Sequence, residues 1–400
     1  MSDVAELLAA FESGALLRPA VDVPNLVDLA RACAVVAGAD GLELTVAARE
    51  LAKLIGAGEH LVLVLADGLG LEMLEREPQA PFLRAHLARE LRGVFPASTA
   101  VALTSLATGE WPAQHAVTGW WTHFEEIGGP ATILQYRRRA DDRSLLDLGV
   151  EPEKAFPVPS LLPRMRRRTL CLLPEAIAGS VYSHYWTGGK PAAGYASLEE
   201  AFAAVGDAVY RRGGPSFSYV YAPQVDQAAH QGGPDSREVR NAVIAVDRLV
   251  QALAGELGDA ARVVVTADHG HLAVPAGERL LIRPVDGLPD LLAFPPAGDS
   301  RSIQFHVRAG EAERFAARFR ERFGEWFYLL TTDELEELEL LGPGPLAAGT
   351  RARLGDFMAI ARGAAVLGYQ PARASREALQ HVSHHAGLTP AELRLPLIVA

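Results

Sequence analysis

A chain of 400 residues exceeds one ordinary hydrophobic core, so either one large domain with an insertion or two domains is expected. Its 49% hydrophobic and 22% charged residues are ordinary for a soluble globular protein. A net charge of −11 argues against a nucleic-acid polymer as the main partner, because phosphate backbones are held by positive surface.

The opening Met-Ser-Asp-Val-Ala-Glu is acidic, unlike the positive start of a secretion signal. No apolar run approaches the ~18 residues that span a bilayer. A cytoplasmic placement without a membrane partner is therefore expected. Cys33 and Cys171 stand far apart and form neither a disulfide framework nor a zinc-ligand spacing. Residues 1–58 carry helical patterns at Asn25–Gly38 and Gly41–Ile55, and read as a helical extension packed on the core. Leu61–Ala66 is a continuous apolar strand that closes on Asp67-Gly68-Leu69-Gly70. A helix is expected through about Arg89, then a short strand at Gly93–Phe95 and a helix over Ala100–Thr108.

Further along, Tyr219–Ala222 reads as a strand, Asn241–Leu257 as an amphipathic helix, and Val263–Ala267 as a strand buried on both faces. Strands alternate with helices from 61 to 270, which predicts a layered α/β/α core around a mostly parallel sheet over residues 59–274. Prolines crowd Pro275–Pro296, before a strand at Ser302–Val307, a helix at Ala312–Phe323 and a strand at Trp326–Leu330. That pattern predicts a small α+β cap or insertion over 275–350. Residues 351–400 then return to the core through Asp356–Ala361.

Chemistry-bearing residues gather at strand ends. Asp268 and His269 follow the Val263–Ala267 strand, where ligands bind in open α/β sheets, and pair a hard oxygen with an imidazole. Asp67 ends the Leu61–Ala66 strand in the same way. Asp226 and His230 stand four apart, which puts both on one face of a helix. His381, His384 and His385 cluster near the carboxyl end. Each feature also has a plain reading, as a turn, a helix cap or solvated surface. Those readings leave unexplained why three strand-end carboxylates and several histidines recur on one side of a sheet.

The segments Leu-Val-Leu-Val-Leu-Ala-Asp-Gly, Val-Phe-Pro-Ala-Ser-Thr, Ala-Thr-Gly-Glu-Trp-Pro-Ala-Gln-His, Asp-Gln-Ala-Ala-His, Ala-Asp-His-Gly and His-Ala-Gly-Leu-Thr-Pro-Ala-Glu-Leu run in order across 61–400. In that order the chain resembles the alkaline phosphatase superfamily, within its type I phosphodiesterase and nucleotide pyrophosphatase branch. The resemblance implies a hydrolase with two divalent ions, expected to be Zn²⁺ with Mn²⁺ as the alternative. Asp67, Asp268 and His269 would hold one ion together with the Thr99 oxygen. Asp226, His230 and His385 would hold the other, His385 being the histidine that directly precedes Ala386-Gly387-Leu388-Thr389-Pro390. His384 and His381 are then either supporting partners or surface residues, the latter being favoured. Thr99 would be the nucleophile that forms a covalent phosphothreonine, with Ser98 the weaker alternative.

The expected substrate is a small phosphodiester or pyrophosphate, nucleotide-like in character. A phosphomonoesterase or phosphonate hydrolase on the same site is the alternative, and a non-catalytic binding relative a more distant one. Relatives often place an asparagine three residues after the nucleophile, and several place a proline two after it; Ala102 and Val101 stand there instead. A missing donor would weaken oxyanion stabilisation unless another group replaces it. Trp120 and Trp121 are candidates to stack on a flat substrate group, with packing beneath a loop as the other reading. The runs Arg137–Arg139 and Arg164–Arg168 read mainly as solvated surface. A sulfatase reading fails, since no Cys/Ser-x-Pro-x-Arg motif occupies the nucleophile position. The spacing from Thr99 to Asp226 is short for a cofactor-independent phosphoglycerate mutase.

Overall fold

The computed structural model describes residues 2–19, 23–211, 213–373 and 379–400. Four apolar stretches make the centre of its main sheet: His60–Ala66, Arg168–Pro174, Ser216–Ala222 and Ala261–Thr266. His60–Ala66 and Ser216–Ala222 are buried at every position, as expected of strands covered on both faces. The full order is Leu87–Arg92, Arg394–Val399, Ala261–Thr266, His60–Ala66, Ser216–Ala222, Arg168–Pro174 and Ala193–Tyr195. The five strands from Ala261–Thr266 to Ala193–Tyr195 run parallel, and Arg394–Val399 and Leu87–Arg92 close one side antiparallel. The helices Leu26–Val36, Val46–Ile55 and Thr99–Thr108 pack as one group, and Leu198–Tyr210 with Arg237–Leu257 as another. The fold is thus the mixed α/β architecture expected from the alternation of elements.

The long helix expected through Arg89 is instead two short ones, Leu71–Glu75 and Pro81–Ala85, with Pro78 between them. The strand expected at Gly93–Phe95 lies earlier, at Leu87–Arg92. Its charged side chains suit a sheet edge, where one side of the strand faces solvent, and its register comes from Arg394–Val399. That pairing partner lies more than 300 residues away, beyond the reach of local patterning.

A second, antiparallel sheet has the order Phe327–Thr331, Phe357–Ala361, Ser302–Phe305, Ala297–Asp299, Trp121–Phe124, Gly129–Thr132 and Arg137–Arg138. It extends beyond the 275–350 unit expected from sequence, taking three strands from 121–138 and one from 357–361. Cross-strand pairing with Gly298 brings Trp121 into this sheet from the loop after the Thr99 helix. Helix Ala312–Phe323 covers it through Phe315, Phe319 and Phe323, which pack with Phe305 and Phe327. The N-terminal helix Asp3–Glu12 also packs here: Leu7 joins Phe95, Leu330, Met358, Leu388 and Leu393 in one cluster. This cluster joins the second sheet to the loops that carry the site. Among the described residues no helix is long and apolar enough to cross a membrane.

Candidate metal centre and active site

The carboxyl ends of three adjacent parallel strands deliver three carboxylates. Asp67 follows His60–Ala66, Asp268 follows Ala261–Thr266, and Asp226 opens the helix Gln224–Gly232 after Ser216–Ala222. The Asp226 N–H donates to the Asp67 carbonyl at 3.0 Å, which ties the two strand ends together. Gly68 makes the turn with φ +76°, and a Cβ there would strike both Asp226 and the His271 ring. Gly270 is required by close approach: a Cβ would sit 2.0 Å from the Ala391 carbonyl oxygen.

Each carboxylate of the first group is held by one oxygen and offers the other. Asp268 Oδ1 accepts from the N–H groups of Gly68 at 3.1 Å and His269 at 3.0 Å, leaving Oδ2 buried without a partner. The Tyr221 hydroxyl donates to Asp67 Oδ2, leaving Asp67 Oδ1 in the same state. His269 Nε2 lies 3.4 Å from Asp67 Oδ1, 3.5 Å from Asp268 Oδ2 and 3.1 Å from Thr99 Oγ1. Its Nδ1 faces the Gly270 carbonyl at 3.1 Å, which places the proton there and frees the Nε2 lone pair.

Asp226 gathers further histidines, with His230 and His271 in one close set and with His269 and His385 in another, and the rings of His230 and His385 are aimed by backbone carbonyls. His230 Nδ1 lies 3.0 Å from Ser383 O, and His385 Nδ1 lies 2.8 Å from Ala97 O. Their Nε2 atoms approach Asp226 Oδ1 to 3.3 and 3.9 Å. A two-residue antiparallel pairing of Leu272–Ala273 with Ser383–His384 brings the distant histidine segment here, and the His269 and His385 rings stack 3.6 Å apart. All seven residues expected to share a two-ion site are therefore neighbours: Asp67, Thr99, Asp226, His230, Asp268, His269 and His385.

The charge state of the cluster follows from its burial. Burial, then the neighbouring Asp268 and Asp226, push the Asp67 carboxyl well above its ordinary range. Burial would also raise Asp226, but hydrogen bonds from His230 and His271 outweigh it and hold that carboxyl well below. His385 is held well below the ordinary imidazole value by burial and by the rings of His269, His230 and His271, so it is a neutral lone-pair donor. Among the described residues no lysine or arginine pairs with any of the three carboxylates. Buried carboxylates with orphaned oxygens, set beside imidazoles that include the neutral His385, fit divalent cations as the missing positive charge.

Thr99 is the first residue of helix Thr99–Thr108, and its hydroxyl faces the Asp67/Asp268/His269 group. Ser98 is engaged elsewhere: its hydroxyl donates to Asp299 Oδ1 at 3.0 Å. Ser98 thus gives the helix no side-chain cap, and the N–H groups of the first turn stay open to an anion. The same Asp299 accepts from the Trp120 N–H at 3.0 Å, and burial pushes its carboxyl up to about 6.

Three contributors escaped the sequence reading. His271 Nε2 lies 2.9 Å from Asp226 Oδ1 and its Nδ1 3.1 Å from Ser383 Oγ; the one signal was a histidine two residues after His269. Tyr221 and Asp299 carry no motif at all. His384 is a correction, since it is not surface: it is buried, with Nδ1 3.1 Å from Ser300 Oγ. His381 lines the cleft beside it.

That cleft, about 870 Å³, is lined by Thr99, Asp226, His230 and His385 at one part and by Trp120, Trp121 and Arg137–Arg139 at another. The run Arg137–Arg139 is therefore cleft wall, whereas Arg164–Arg168 does not line it. Tyr182 and Trp186 are buried in the main core, Trp186 stacking on Tyr219 at 4.0 Å.

Comparison with known proteins bears on the fold and the family. The chain superposes on murine ectonucleotide pyrophosphatase/phosphodiesterase 5 with a TM-score of 0.63 at 14% identity, covering 85% of this chain and 87% of that one. An inactive threonine-to-alanine form of the murine protein, in complex with AMP, gives 0.60 at 15% identity over 85% and 87%. Phosphonoacetate hydrolase from Sinorhizobium meliloti, in complex with phosphonoformate, gives 0.58 at 18% identity over 84% and 89%. These likenesses show the shared fold. No curated protein sequence matches the chain at a significant level. The family profile described as type I phosphodiesterase / nucleotide pyrophosphatase matches residues 61–386, and the chain belongs to that family.

Proposed function

We propose that the protein is a two-metal phosphohydrolase that cleaves phosphodiester or pyrophosphate bonds of a small, nucleotide-like substrate through a phosphothreonine at Thr99. One observation carries this reading: the Thr99 hydroxyl opens an uncapped helix beside two buried carboxylates, each with one oxygen unpartnered. Asp67, Asp268 and His269 would hold one ion near Thr99, and Asp226, His230 and His385 the other, with His271 steadying Asp226. Bound divalent ions, zinc by the mixed carboxylate and imidazole set and manganese as the alternative, would stabilise the attacking and leaving oxygens as Lewis acids.

The chain's own groups do the rest. The Thr99 oxygen attacks phosphorus as its hydroxyl proton is lost to water, the bond to the leaving oxygen breaks, and the departing alkoxide or phosphate takes up a proton from water. The open amides of the Thr99 helix donate to the phosphoryl oxygens. Water then attacks phosphothreonine from the same cleft and frees Thr99. Asp299 fixes Ser98 and Trp120, so nucleophile and cleft wall hold one geometry. A cleft of about 870 Å³ leaves room for a second substituent on phosphorus, which favours a diester over a monoester. Turnover of bis-p-nitrophenyl phosphate against p-nitrophenyl phosphate tests this: the diester should be preferred, and preference for the monoester overturns the diesterase reading in favour of a monoesterase.

A further inference from the structure

Three consecutive arginines line the cleft, and two of them are already neutralised. Arg137 pairs with Asp142 at 3.2 Å, and Arg138 Nε donates to Asp141 at 2.9 Å. Arg139 differs. Its one side-chain hydrogen bond among the described residues runs from Nη2 to the Pro296 carbonyl at 2.7 Å, and no described carboxylate stands within ion-pairing distance. The guanidinium lies 5.3 Å from the centre of the Trp121 ring, a cation–π contact that fixes its plane. Burial lowers it to about 10, so it stays charged at neutral pH.

A part-buried guanidinium with spare N–H groups and no counter-charge among the described residues, on the wall of a substrate-sized cleft, is matched by an anion from the ligand. We propose that Arg139 receives a second anionic group of the substrate, a carboxylate or a non-scissile phosphate, while the scissile phosphoryl group sits at Thr99. Arginine's planar fork suits either group. This rests on the hydrolase reading of the site and adds a substrate class to it. It also changes the expectation for Trp121, whose ring then orients Arg139 as well as bounding the cleft.

The test uses metal-loaded protein and three non-hydrolysable phosphonate analogues of one diester, ending in a neutral amide, a carboxylate or a phosphate. Calorimetric affinities are compared as ratios within each protein. Wild type should favour one anionic analogue over the amide by about 10- to 100-fold, and the stronger of the two arms identifies the group. Arg139→Met should bring that ratio close to one, with Arg139→Lys in between. Equal affinities for all three analogues in wild type, or a preference that survives Arg139→Met, overturn the inference. Hydrolysis of bis-p-nitrophenyl phosphate by wild type is scored separately: its absence rejects the hydrolase reading, while the binding ratios still decide the role of Arg139.

Discussion

Glu392→Gln strikes a buried ion pair that joins the second sheet to the segment carrying His385. Arg301 and Glu392 are both fully buried, with Arg301 Nε 2.7 Å from Glu392 Oε1 and Nη2 3.1 Å from Oε2. Arg301 also donates to the carbonyls of Ala365 at 3.0 Å and Gly363 at 2.7 Å. Glu392 accepts from the Gly387 N–H at 2.7 Å and from both the N–H and hydroxyl of Thr389. The variant keeps the volume but leaves a buried guanidinium without its counter-charge, at a cost of about 3–5 kcal/mol. Urea unfolding followed by circular dichroism should show that loss at pH 7.

The pH dependence supplies an internal control. Burial alone would raise the Glu392 carboxyl, but Arg301 and the hydrogen bonds outweigh it and hold it below its ordinary 4.5. A depressed folded value means the contribution is fully present above 4.5 and fades as pH falls through the folded value. The gap between wild type and variant should therefore be flat from about pH 6 to 8 and shrink in acid, below roughly the ordinary carboxylate range. A variant within about 0.5 kcal/mol of wild type at pH 7, or a gap that widens in acid, refutes the reasoning.

Other consequences concern the centre itself. His271→Ala should weaken divalent-ion binding at the Asp226, His230 and His385 position by about 10- to 100-fold in metal titrations, leaving the first group's affinity near wild type. Asp299→Ala releases Ser98 and Trp120; kcat should fall by about 10- to 100-fold with metal content retained, as measured by steady-state kinetics and elemental analysis. Metal affinity should climb with pH as the raised Asp67 carboxyl gives up its proton, and calorimetry in buffers of different ionisation heat should record that proton leaving.

The parallel core was legible because its strands are continuous apolar runs ending on carboxylates, as at Leu61–Ala66 and Val263–Ala267. Among the candidate ligand residues, Asp67, Asp268 and His269 were legible from a strand end and Asp226 with His230 from one helical turn, whereas Thr99 and His385 came only from the family resemblance. What escaped depends on distant pairing. Leu87–Arg92 is too polar to read as a strand without Arg394–Val399 beside it. Trp121–Phe124 joins a sheet whose other strands lie far along the chain, so the second unit could not be bounded at 275–350. His271, Tyr221 and Asp299 act by orienting other side chains, which leaves no spacing in the sequence. Arg137–Arg139 looked like ordinary surface because only the fold brings the cleft to them.

Thr99→Ala, with metal content and bis-p-nitrophenyl phosphate turnover measured on the same preparations as wild type, tests the central claim most directly. The account predicts about two divalent ions per chain in both proteins and a loss of turnover of about 10³-fold or more in the variant alone. Turnover at the wild-type rate in Thr99→Ala, or a wild type that binds no divalent ion and gains no turnover from added metal, would contradict it.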